Sequence, residues 1–339
     1  MSLFRTELRR LVKRRFTRYM TLLGLLVLAA VVVGVFFTNQ KIDAGQLAKA
    51  ERQADQQYQE QIRWSEQERV NCEQAKTAGT PNDGGRYPDD CSMITPPSRD
   101  QIQAEWFLPS TFNFRKTFDE TLVPFAAILA LVGFVVGASF VGAEWSTGGM
   151  MNLLLWRPKR LTVLLTKLAA LLTGILAVTL PAAVLWFAGF WAVASFRGST
   201  EKMTSGASQS FALTGVRGVA LVLVLTTIGF ALASLGRHTA MALGGVVALM
   251  VVGQFGLGIL LSMASVKFAE AWLLPTYALA WMTKKVTLQD WNACNATYSG
   301  ECKPDTMDIT WQQSSVLFSI GLVVILGAAL WTMRRRDIS

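Results

Sequence analysis

The strongest constraint on this chain is the collection of its apolar residues into six long blocks. The blocks run over Tyr19–Phe37, Leu122–Gly142, Leu164–Ala192, Gly218–Leu235, Thr239–Met263 and Val316–Met333. An apolar run of about 18 residues or more is long enough to cross a bilayer as a helix. Only 16% of the 339 residues are charged, against about 25% in soluble domains. We therefore predict an all-α membrane protein with six transmembrane helices, in which Pro181 kinks the third span without dividing it.

The distribution of Lys and Arg predicts which segments face the cytoplasm. With the N-terminus inside, the inner segments hold fifteen Lys and Arg residues and three acidic residues. The outer segments hold a slight excess of acidic residues. Both termini are therefore predicted to be cytoplasmic. The net charge of +9 follows from this topology, so it does not indicate a nucleic-acid partner.

The N-terminal segment has the pattern of an amphipathic helix. Apolar residues recur at helical spacing, and basic residues stand between them; these basic residues are Arg5, Arg9, Arg10, Lys13 and Arg14. Such a helix lies in the plane of the membrane surface, with its cations toward anionic lipid. The alternative is a plain basic flank that only orients the first span.

All four cysteines fall in segments that the predicted topology places outside, where disulfides persist. Proximity within each loop favours the pairs Cys72–Cys91 and Cys294–Cys302, and the alternative is four free thiols. Residues 39–70 are polar, contain no Pro and repeat at helical spacing, which predicts a long exposed helix.

Several kinds of catalytic site are excluded by the residues themselves. The chain has one histidine, no Gly-rich phosphate loop of the GxxxxGK[ST] type and no CxxC motif. It therefore contains no catalytic or metal-binding constellation that we recognise, and it is predicted not to be an ATPase. The spans hold few charges, and Lys167 and Arg217 are expected to lie near span ends, where their side chains can reach water. Spans without a charge relay argue against an ion-coupled carrier.

The segment after the second span has the most informative pattern. It contains Glu144, then Thr147-Gly148, three leucines over 153–155, Pro158, Arg160 and finally Lys167. This order resembles the coupling region of type 2 ABC transporter permeases, the class that exports drugs, lipids and polysaccharides. The basic turn over residues 229–242 is also similar to that family. The large first outer segment is a departure, since many members have a short loop there.

The resemblance implies a short cytoplasmic helix that couples the spans to a separate ATPase. The residues it assigns to this coupling are Glu144, Trp145, Thr147, Gly148, Met150, Met151, Leu153, Leu154, Arg157, Pro158 and Arg160. It further implies a dimer of ABC ATPase subunits that bind ATP and Mg, and a second permease, identical or homologous. The expected setting is a bacterial plasma membrane, and the expected activity is export of a hydrophobic or amphipathic substrate. The alternative is a non-transporting sensor or assembly protein with a ligand-binding outer domain.

The predicted division of the chain follows from these patterns. Residues 1–18 form the in-plane helix, 19–38 the first span, 39–120 a small extracellular domain, and 121–263 spans two to five with the coupling helix at 144–158. Residues 264–313 form an extracellular loop with a re-entrant or interfacial helix, and 314–339 form the sixth span and a basic tail.

Overall fold

The computed structural model describes residues 3–77, 87–88, 90–156, 159–201, 203–290 and 303–335. Its α-helices are α1 (Leu3–Lys13), α2 (Arg15–Thr38), α3 (Ala44–Thr77), α4 (Phe114–Ser146), α5 (Gly149–Trp156), α6 (Arg160–Arg197), α7 (Ser205–Gly236), α8 (Thr239–Ala248), α9 (Leu257–Met263), α10 (Leu274–Thr283) and α11 (Trp311–Arg335). The strands are β1 (Phe112–Asn113), β2 (Gly198–Ser199), β3 (Lys285–Asp290) and β4 (Asp305–Thr310). Single 3-10 turns occupy Cys91–Met93, Arg99–Gln101, Ala104–Phe107 and Ala269–Trp272. The structure is 82% helical, which confirms the predicted all-α class.

Six helical segments in the described residues are long and apolar enough to cross a membrane. They are α2, α4, α6, α7, the continuous segment Thr239–Met263 and α11. This confirms the six predicted spans. Pro181 lies within α6, so the third span is one helix as predicted.

The centre of the spanning region is the packing of α4 against α7. It depends on glycines, because a Cβ at Gly229 would collide with the backbone oxygen of Phe134, and one at Gly133 would collide with Thr226. Small residues at such crossings let two backbones approach closely. By contrast, only 6% of the most apolar window of the fifth span is buried in this chain.

The fifth span is not a regular α-helix throughout. Residues Leu249–Gly256 between α8 and α9 form a π-helical segment, and Gln254 in it is buried. Its side-chain oxygen accepts a hydrogen bond from the backbone N–H of Leu274 at 2.7 Å. Gln254 thereby satisfies a backbone donor at the start of α10, in the segment for which a re-entrant or interfacial helix was predicted.

The loop after α10 contains an element that sequence patterns did not predict. Strands β3 and β4 form an antiparallel ladder that pairs Lys285 with Thr310 and Asp290 with Asp305. Leu288 and Ile309 on these strands are buried together with Ala280 of α10. The predicted Cys294–Cys302 pair falls between the strands and lies outside the described residues.

A second compact unit comprises Gly34–Asn113 and Ala192–Thr200. Its long helix α3 starts and ends a few residues later than predicted. Cys72 and Cys91 form the predicted disulfide, which ties α3 to the chain that follows it. Strands β1 and β2 pair in parallel, with Phe112 opposite Gly198, where any side chain would collide with the Phe112 carbonyl.

Candidate functional site

The sharp turn between α4 and α5 is built by local hydrogen bonds and one glycine. The backbone N–H and the hydroxyl of Thr147 both donate to the carbonyl of Ala143, at 3.1 and 2.8 Å. Gly148 has φ +71°, a left-handed conformation that side chains disfavour and that commonly ends helices. The helix after this turn is therefore shorter than the predicted range 144–158.

The structure distributes the predicted coupling residues over three elements. Glu144 and Trp145 belong to the last turn of α4, Thr147 and Gly148 form the turn, and Arg160 begins α6. Met150, Met151, Leu153 and Leu154 lie on α5. Arg157 and Pro158 lie outside the described residues.

Helix α5 has one anchored side and one free side. Met150 is fully buried and Leu154 is 6% exposed, so both pack within this chain. The adjacent side chains of Leu155 and Trp156 are 82% and 87% exposed. The free apolar surface of α5 is thus its C-terminal end, and neither of these two residues belongs to the coupling set that the resemblance assigned.

A buried ion-pair network holds the last turn of α4 to two other helices. The ammonium of Lys167 on α6 lies 2.7 Å from a carboxylate oxygen of Glu7 on α1, and 2.7 Å from one of Glu144 on α4. Lys167 and Glu7 are fully buried. The expectation that Lys167 extends to water was therefore wrong, because two carboxylates neutralise it inside the protein. A buried charge is tolerated when it is paired in this way.

Helix α1 is fastened to the spans on both sides of this network. Leu11 packs so closely on Gly174 of α6 that an added Cβ would lie 2.5 Å from it. The guanidinium of Arg14 donates to the Ser139 carbonyl at 3.1 Å. The Phe140 ring lies 5.9 Å from the Arg14 guanidinium and 5.3 Å from the Lys167 ammonium. Arg5, Arg9, Arg10 and Lys13, which were predicted to face the membrane surface, are exposed.

The last turn of α4 also meets the turn between α7 and α8. The guanidinium of Arg237 lies 5.0 Å from the centre of the Trp145 ring. A Cβ at Gly142 would lie 2.5 Å from the backbone nitrogen of Thr239. The last turn of α4 is therefore in contact with α6 and with the start of the fifth span.

A cavity of about 820 Å³ opens between α1 and α5. Its lining residues are Thr6, Arg9, Arg10, Lys13, Arg14, Ala143, Glu144, Thr147, Gly149, Asn152, Leu153 and Trp156. Among these described residues four are basic and one, Glu144, is acidic. The basic residues outnumber the acidic one, so the cavity has a positive lining.

Sequence reasoning did not identify Glu7 as a site residue, and it did not predict that Lys167 is buried in an ion-pair network. A signal for Glu7 was present, because it is the sole acidic residue in an N-terminal segment that carries seven Lys and Arg residues. An isolated acid among so many cations indicates a specific partner.

The family model described as ABC-2 family transporter protein matches residues 1–337. The chain belongs to the ABC-2 transporter family. Neither the curated proteins nor the solved structures contain a significant match to it. An ABC-2 permease is the transmembrane subunit of a transporter, is not itself the ATPase, and normally works with an ABC ATPase. Family membership and the six spans together identify a multi-pass membrane protein.

Proposed function

We propose that this permease couples to its ATPase through the exposed end of α5, and that it exports a hydrophobic or amphipathic substrate. The observation that carries the proposal is the two-sided character of α5. Met150 and Leu154 anchor it in the chain, while Leu155 and Trp156 offer a large apolar surface. Exposed Trp side chains that enter a partner's pocket commonly dominate binding energy.

The ion pairs between α4, α6 and α1 support a path by which movement of α5 is transmitted to the spans. The last turn of α4 joins α5 through the Gly148 turn and joins α6 through the Glu144–Lys167 pair. In this proposal, movement of α5 therefore displaces spans two and three together. In this proposal two ATPase subunits bind ATP and Mg, and a second permease completes the pathway.

The direction of transport and the nature of the cargo follow from the class and from the composition of the spans. Export is the norm for the class that the chain resembles. The spans offer apolar surface and few charges, which suits a cargo with a substantial hydrophobic part. The distribution of Lys and Arg favours cytoplasmic termini, and the plasma membrane is the setting expected for the class that the chain resembles.

The test is a pull-down of the full-length permease with its partner ABC ATPase, using Leu155→Ala/Trp156→Ala. Loss of a hot-spot Trp costs about 2 kcal/mol or more, so we expect roughly thirtyfold weaker association and loss of ATP hydrolysis stimulated by the permease. The matched control is Trp272→Ala, because Trp272 is 67% exposed and lies in the predicted outer loop. Undiminished association and stimulation in the α5 variant would refute the coupling surface.

A further inference from the structure

The cations that line the cavity between α1 and α5 are not equivalent. Arg14 is held by the Ser139 carbonyl, and Arg10 lies 3.4 Å from Glu7. Arg9 and Lys13 are exposed, and no described carboxylate lies within ion-pair distance of either. Two exposed cations without a described carboxylate partner therefore line the cavity beside two that are held by neighbouring groups.

The far wall of the cavity adds to the positive potential. Gly149, the first residue of α5, is part of that wall. The amino end of a helix presents unpaired backbone N–H groups and the positive end of the helix dipole. Side chains from one helix and the amino end of another thus converge on the same space, and both favour an anion with several oxygens.

The surface next to these cations is apolar. At 100° per residue, Val12 projects from α1 between Leu8, on the side packed against α6, and Arg9, on the side of the cavity. Val12 is 57% exposed and Phe16, which follows at the start of α2, is 40% exposed. A ligand that lies here meets cations at one end and apolar side chains at the other.

We propose that this cavity binds the phosphate headgroup of an anionic phospholipid, with the lipid's acyl chains lying along Val12 and Phe16. In the predicted topology the lipid comes from the cytoplasmic leaflet. Positive pockets at the ends of membrane helices suit such headgroups. An acidic protein segment would match the charge but would leave the adjoining apolar strip unexplained. The site does not depend on the ATPase, so it stands or fails separately from the proposed coupling.

The experiment measures phosphatidylglycerol retention by the full-length protein in neutral detergent, by native mass spectrometry, against equimolar phosphatidylcholine. The variant Arg9→Gln/Lys13→Gln removes the two exposed cations that have no described carboxylate partner. Each cation near a phosphate contributes about fivefold, so we expect roughly thirtyfold weaker retention of phosphatidylglycerol. The charge-matched control Arg52→Gln/Arg69→Gln, in the exposed surface of α3, is expected to bind within threefold of the wild type. The single variant Lys13→Gln is expected to retain phosphatidylglycerol about fivefold more weakly than the wild type. It replaces the double variant in the test if the double variant does not fold.

Four results would overturn the proposal. Equal retention of phosphatidylcholine would remove the need for a negative headgroup. Equal losses in both double variants would replace a site by diffuse charge attraction. Displacement of the lipid by glycerol phosphate at the same concentration would indicate a site for a soluble phosphate. Displacement of phosphatidylglycerol by polyglutamate, while phosphatidylcholine stays bound, would indicate a site for an acidic protein segment.

Discussion

The buried ion pairs behind α5 and the exposed ion pairs of the β3–β4 hairpin use the same chemistry in different surroundings. Lys167 and Glu7 are fully buried, whereas Lys285 and Asp308 have side chains 54% and 46% exposed. The nitrogen–oxygen distance is 2.7 Å in both pairs. Distance alone therefore does not rank them.

The difference between these regions lies in what remains when one partner is lost. In the hairpin, water and salt replace the missing charge, so exposed pairs contribute little. In the network of α1, α4 and α6, Lys167 and Glu7 are fully buried, so the loss of one partner leaves an uncompensated buried charge. The buried network thus holds three helices together, whereas the exposed pairs contribute little to stability.

The largest expected effect is that of Lys167→Met. It removes the one cation between two carboxylates, which should cost about 3–5 kcal/mol of unfolding free energy. Thermal unfolding of the purified protein in detergent measures the change. The control Lys285→Met removes the ammonium of a hairpin lysine in the same way and should change the midpoint of thermal unfolding little. Equal shifts in the two variants would contradict the distinction drawn between the regions.

A second change, Glu7→Gln, sharpens the comparison within the network. Lys167 keeps Glu144 as a partner, so we expect a smaller loss of stability than for Lys167→Met. Glu7 also fastens α1, so cleavage by protease near the N-terminus should increase. Limited proteolysis followed by peptide mapping measures this, with Glu51→Gln, in the exposed surface of α3, as the control. Unchanged cleavage would mean that Leu11 and Arg14 suffice to hold α1.

A third change tests a buried polar contact that carries no charge. In Gln254→Leu the backbone N–H of Leu274 loses its acceptor, which costs about 1–3 kcal/mol when the donor stays buried. Gln254→Glu retains an acceptor oxygen at similar length. Hydrogen exchange at the start of α10 should therefore rise in the leucine variant and less in the glutamate variant. The opposite order would show that the amide acts through something other than this bond.

The smallest expected effect is that of acidic pH on the stability of the β3–β4 hairpin. Hydrogen bonds from Lys285 and then Thr287 hold the pKa of the Asp308 carboxyl below its ordinary value of 3.8. A lowered folded-state pKa contributes stability that is present above pH 3.8 and is lost as the pH falls through the folded value. Exchange of the hairpin amides, corrected for intrinsic rates, should accelerate slightly below pH 3.8 in the wild type. In Asp308→Asn this additional acceleration should be absent, and its persistence would assign it to another group.

The unit that contains α3 and the segment between α10 and α11 show where sequence reasoning succeeded and failed. The Cys72–Cys91 pair was predictable, because both cysteines lie in the one polar segment between the first two predicted spans. The β3–β4 hairpin was not, because neither strand has an apolar alternation long enough to distinguish it from a loop; only Leu288, Asp290 and Ile309 in them are buried. The turn at Gly148 was not predicted, because residue 148 falls inside the predicted coupling helix 144–158; its left-handed backbone suits glycine.

The sequence by itself determined the number of spans, their predicted orientation and the position of the segment after the second span. These properties depend on the length of apolar runs and on the placement of Lys and Arg, which are local quantities. Only the tertiary structure decided that Glu7, Glu144 and Lys167 meet, because helix packing brings together residues that are far apart in the chain. It also decided which side of α5 is free. That helix, Gly149–Trp156, is apolar at seven of its eight positions. Its sequence therefore has no polar face to set its orientation, and the neighbouring helices choose which side chains are covered.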